Sequence, residues 1–89
     1  MKLFKLTISS PDGKIFDGEV ESIMLRGAEG DLAVLAGHIP FITSVQPGKC
    51  TITLSDGSVK TGSTDGGILA VAQEKTTLFS GSFRFEGQK

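Results

Sequence analysis

The sequence predicts an all-β protein, a small two-sheet β-sandwich of about eight to ten short strands. Three observations carry that expectation. Apolar and polar residues alternate along most of the chain, which is the period of a strand with one buried face. Turn signals built from Pro, Gly and Asp recur at short intervals, and the 12 glycines among 89 residues are roughly twice the average usage. Nowhere do apolar residues sustain the i, i+3, i+4 spacing of a helix buried on one side.

Taken in order, Phe4, Leu6 and Ile8 share one face of a first strand, with Lys5 and Thr7 on the other. Pro11-Asp12-Gly13 makes a turn, because Pro presets φ and Gly accepts a positive φ. Residues 14–16 resume extended structure and Asp17-Gly18 breaks it. Residues 19–26 alternate again from Val20, although the run Ile23-Met24-Leu25 calls for burial on both faces or a bulge. Short strands follow over 31–35 and 41–46, the second closed by Pro47-Gly48. In KCTITLSDGSVKTGS, Cys50, Ile52 and Leu54 share a face and Asp56-Gly57 reads as a two-residue hairpin turn. A last pair, 67–72 and 75–80, is joined around Gln73-Glu74, and Phe83 and Phe85 alternate as a final strand.

A chain of 89 residues is one domain and buries only roughly 60 to 65% of its unfolded surface, so the core is thin. The sandwich is expected over residues 1–85, with 86–89 as a tail. Lys and Arg number 9 against 10 Asp and Glu, a net charge of -1. Scattered basic residues give no footprint for nucleic acid. Cys50 is the only cysteine, which excludes an internal disulfide and suits a reducing compartment. The uncharged stretch 32–46 contains Gly37, His38 and Pro40 and falls short of the roughly 20 apolar residues that cross a bilayer. No signal-peptide core follows the N-terminus. A soluble protein that is not exported is expected, free to attach to a membrane complex.

Catalytic chemistry finds little support. A Cys50/His38 dyad needs an exposed, activated thiol, whereas Cys50 shares its strand phase with Ile52 and Leu54 and reads as a buried structural residue. Glu19 and Glu21 fall on one face by period 2 and read as a solvated acidic strand. The chain has no G-x-S-x-G elbow and no phosphate-cradling glycine motif. One His and one Cys are a poor start for a zinc site, so neither metal nor cofactor is expected. His38, set between Gly37 and Ile39-Pro40, stays open between a structural and a functional role. Gly27-Ala28-Glu29-Gly30-Asp31 is a glycine-bracketed acidic loop, and Gly66-Gly67 marks a turn or a close approach of backbone or partner. From the residues alone the chain is an interaction module. One version is a free-standing sandwich that binds a peptide or carbohydrate, although the absence of Trp and Tyr counts against sugar stacking.

PDGKIFDGEVESIMLRG, then GAEGDLAVLAGHIPFITSVQPG with its His-x-Pro and Pro-Gly turn, then GGILAV and TTLF, occur in one order and spacing over nearly the whole chain. In this it resembles the N-terminal β-sandwich domain of the epsilon subunit of F-type ATP synthase, called delta in mitochondria. Ala36 stands where that family commonly has Pro. Ala70 stands where Glu is frequent, so no role of that carboxylate carries over. The family's C-terminal pair of helices has no counterpart in the closing SFRFEGQK.

The resemblance implies a noncatalytic central-stalk subunit that docks on gamma and the c ring and couples proton translocation to ATP synthesis. It places Glu29, Gly30 and Asp31 toward the c ring, and Ser10, His38, Ile39, Pro40, Phe41 and Thr43 toward gamma. It further implies peripheral attachment, through the complex, to the cytoplasmic face of a bacterial inner membrane. The isolated chain is expected to be monomeric, without ATP binding or helix-mediated inhibition.

Overall fold

The second strand organises the molecule. In the computed structural model, which describes residues 2–37 and 39–86, β1 spans Phe4–Ser10 and β2 runs unbroken over Gly13–Gly27. The break expected at Asp17-Gly18 does not occur. Thr7 stands opposite Asp17 and Leu6 opposite Gly18, so ladder pairing with β1 overrides the weak strand preference of Asp and Gly. The other strands are β3 (Gly30–Leu35), β4 (Phe41–Val45), β5 (Gly48–Leu54), β6 (Val59–Thr64), β7 (Gly67–Val71), β8 (Lys75–Ser80) and β9 (Phe83–Phe85).

The first half of β2 pairs with β1, and its second half pairs with β3 on one side and β5 on the other. One leaf therefore has the order β4-β7-β8-β1-β2 and the other β3-β2-β5-β6-β9, with β2 passing from leaf to leaf. The fold is all-β, as the alternation predicts. One pairing, β1 with β8, is parallel.

A bulge in β2 resolves the Ile23-Met24-Leu25 run. Val20 pairs with Leu54 but Ser22 with Thr53, which leaves Glu21 as an extra residue. One extra residue reverses the alternation. Val20 is buried before the bulge, and Ile23 and Leu25 are buried after it, while Met24 turns outward and is 51% exposed. The same bulge interrupts the period-2 pattern that set Glu19 and Glu21 on one face.

The β5–β6 hairpin also differs from its expectation in one detail. Leu54 N–H donates to the Ser58 carbonyl at 2.8 Å and Gly57 N–H to the Leu54 carbonyl at 2.9 Å, so the loop holds three residues, Ser55 to Gly57. Only Gly57 has a positive φ, +87°. This is a type I turn closed by glycine, and Asp56 serves it as an acceptor rather than by adopting a left-handed backbone. Its Oδ1 accepts from Ser58 N–H at 2.9 Å and Ser58 Oγ–H at 2.6 Å, which hold the carboxyl below its ordinary pKa.

The core lies between the leaves and draws on both. Leu6, Ile8, Val20, Ile23, Ile52, Leu69 and Leu78 are fully buried. Phe83, Phe85 and Phe16 close one end through edge-to-face contacts at centroid distances of 5.0 and 6.1 Å. Near β8, Thr64 and Ser80 share a buried hydrogen bond of 2.6 Å, Thr64 Oγ1 accepts from Gly66 N–H, and Asp65 Oδ1 accepts from Ser82 N–H. That network fixes the turn entering Gly67, where backbone packs on backbone: a Cβ there would lie against the Phe79 carbonyl.

Cys50 is fully buried, and burial pushes its thiol from an ordinary 9.0 up to about 12. The expected consequence is a silent thiol: an aromatic disulfide reagent at pH 8 should modify the chain only after denaturation. Rapid modification of the native chain would contradict the burial. Because the unfolded thiol ionises near 9.0 and the folded one near 12, stability should fall as pH rises through that window. Cys50→Ala should flatten that part of the decline.

Candidate interaction surfaces

Among the described residues no group of three or more His, Cys, Asp or Glu is placed to hold a metal ion. The surface offers open hollows and apolar side chains.

The acidic loop is built by the β2–β3 hairpin. Gly27 pairs with Gly30, and Gly30 carries φ +127°, so the chain reverses at Ala28-Glu29 and leaves Glu29, Gly30 and Asp31 exposed. Arg26 Nε lies 3.9 Å from Asp31 Oδ1, a loose pair in solvent. Across a groove from this loop stand Phe41, Ile42 and Thr43 at the start of β4. Residues assigned from the sequence to two different partners thus border one depression.

The other assigned residues separate. Phe41 and Thr43 are half-buried, and Phe41 packs partly against the core. Ile39 and Pro40 are exposed, Ile39 at 78%. Ser10 sits at the opposite end of the leaf, in a hollow with Ser9, Pro11, Phe79, Ser80 and Gly81. His38 lies outside the described residues.

A surface that sequence reasoning missed connects these two ends. On the outer face of the β4-β7-β8-β1 leaf, Ile68 stands opposite Phe79 and Ile42 opposite Ala70. Ile42 is 73% exposed, Phe79 53% and Ile68 47%. Ile42 and Ala70 border a hollow with Pro40 and Phe41, and Phe79 borders the hollow of Ser10. Ala70 is what makes the strip continuous, since a carboxylate at this position would interrupt it. The available signal was an apolar residue in the solvent phase of three neighbouring strands, which shows only once their pairing is known.

The structure is thus a β-sandwich with an exposed apolar strip on one leaf, an acidic hairpin loop and a fully buried thiol. The particular family follows from comparison. Residues 3–85 match the family model described as ATP synthase, Delta/Epsilon chain, beta-sandwich domain, and the chain belongs to that family. It is 38% identical over 77 residues to the ATP synthase epsilon chain, sodium ion specific, of Acetobacterium woodii, covering 86% of this chain and 58% of that one. In fold it is similar to a chain of the Euglena gracilis mitochondrial ATP synthase OSCP/F1/c-ring structure, with TM-score 0.89, 23% identity and coverage of 98% and 56%. A chain of the Tetrahymena thermophila mitochondrial ATP synthase central stalk/c-ring structure gives TM-score 0.73 at 17% identity, with coverage of 92% and 66%. The chain therefore spans somewhat over half the length of the Acetobacterium and Euglena relatives.

Proposed function

We propose that this chain acts as a noncatalytic rotor subunit in the central stalk of an F-type ATP synthase, where it docks on gamma and the c ring and couples ion translocation to ATP synthesis. Family membership supports the assignment. The observation that carries it is the apolar strip Ile42–Ala70 and Ile68–Phe79, an exposed sheet face that a tightly held partner would cover. In this reading gamma lies along that strip and meets Ser10 at one end and Ile39, Pro40 and Phe41 at the other, while Thr43, one residue on from Ile42, borders the groove of the acidic loop. Glu29, Gly30 and Asp31 then meet polar loops of the c ring. Attachment is peripheral, through the complex, at the cytoplasmic face of a bacterial inner membrane.

The expected result is co-purification with gamma and the c ring. Glu29→Lys combined with Asp31→Lys should reduce ATP-driven ion pumping by roughly three- to tenfold in reconstituted vesicles, with an unchanged melting temperature. Both side chains are exposed, so the fold has little stake in them. A chain that fails to associate with gamma, or a double variant that pumps normally, would contradict the proposal.

A further inference from the structure

Asp31 borders two depressions. One is the groove it shares with Glu29 and the start of β4. The other, on the outer face of the second leaf, is lined by Met24, Arg26, Asp31, Lys49 and Thr51. Arg26 stands opposite Asp31 across β2 and β3, and Lys49 lies on β5, the next strand over. The row continues outward, with Ser63 opposite Lys49 and Arg84 opposite Ser63. Phe83 is buried and Phe85 packs on the core, which leaves Arg84 exposed on the solvent side.

The order along this edge is acid, acid, base, base: Glu29, Asp31, Arg26, Lys49. The charges are barely used within the chain. The Arg26–Asp31 contact is 3.9 Å with side chains 64% and 84% exposed, and among the described residues Lys49 has no ion pair. Met24, 51% exposed, gives the basic hollow an apolar wall, and Thr51 adds a hydroxyl. The hollow lies at the surface, where a protruding loop can reach it.

Resting on the rotor reading above, we infer that Arg26 and Lys49 form a second half of the c-ring contact, receiving an acidic side chain of the same polar loop whose basic or polar groups meet Glu29 and Asp31. Neighbouring strands are about 4.8 Å apart, so the two partner charges should stand about 10 Å from each other. A bipolar edge of this kind sets orientation: a loop turned end for end would place like charges together.

The test is binding of the full chain to a gamma–c-ring assembly held in nanodiscs, at low and high salt. Lys49→Glu should weaken binding about tenfold at about 50 mM salt, and by much less at about 500 mM, where the Debye length is only a few ångström. Lys14→Glu makes the same change in net charge away from the hollow and should stay within about twofold. Unchanged binding by Lys49→Glu overturns the inference while leaving the rotor reading intact. Equal weakening by Lys14→Glu overturns it as well, since net charge alone would then account for the effect. Failure of the unaltered chain to bind the assembly removes the rotor reading and this inference with it.

Discussion

Replacing Phe79 by Glu is expected to weaken association with an ATP synthase gamma subunit about a hundredfold while the sandwich stays folded. Phe79 is 53% exposed and pairs with Ile68 on the outer face of its leaf, so its ring is half in water before any partner arrives. A partner that covers the strip must desolvate whatever stands there. Covering an aromatic ring is favourable, and covering an unpaired carboxylate is costly. Ile68→Glu should behave in the same way. Val59→Glu is the control, because Val59 is 59% exposed but lies on β6 in the other leaf. All three variants should melt within a few degrees of the parent, since substitutions at exposed positions rarely cost more than about 0.5 kcal/mol. Titration calorimetry against purified gamma, with thermal melts alongside, separates the outcomes. Parental affinity in Phe79→Glu would move the gamma contact off this face.

Gly67→Ala is expected to destabilise the fold by about 3 kcal/mol or more. The added Cβ would strike the Phe79 carbonyl carbon and oxygen and approach Ser80 Cα to 3.0 Å. These are backbone atoms of a paired strand and cannot rotate aside. For a domain of this size the loss corresponds to a fall in melting temperature of more than about 12 °C. Gly57→Ala gives the comparison. A Cβ at Gly57 meets nothing within 4 Å, so only its φ of +87° resists substitution, at about 1 to 2 kcal/mol. Equal costs for the two variants would mean that the β7–β8 contact can open at little expense. Because Ile68 and Phe79 lie on those strands, Gly67→Ala should also disturb the strip that carries the proposed gamma contact.

Much of the fold was legible because its signal is local and repeated. Phe4-Leu6-Ile8 and Cys50-Ile52-Leu54 announce strands through period-2 alternation, and both sets prove to face inward, with Leu54 half-buried. Asp56-Gly57 marks a hairpin because glycine alone takes its backbone angle without strain. Where the reading failed, the missing information lay in another strand. Asp17-Gly18 looks like a break until β1 supplies its partners, and the phase change at Glu21 exists only relative to β5. The acidic loop could be found in the sequence because glycines bracket it. The apolar strip could not, because Ile42, Ile68 and Phe79 are ordinary strand residues until the pairing of β4, β7 and β8 brings them to one face.

Residue type and spacing within a short window account for the fold class, the turns at Pro11-Asp12-Gly13 and Pro47-Gly48, the burial of Cys50 and the pattern shared with the family. Which apolar residues are left facing water depends on strand pairing across the whole fold. Alternation specifies that a strand has two faces, but only its neighbours determine which face is covered. That choice turns Ile42, Ala70, Ile68 and Phe79 into a surface, and sets Arg26 and Lys49 beside Asp31 although 18 positions of chain separate Lys49 from Asp31.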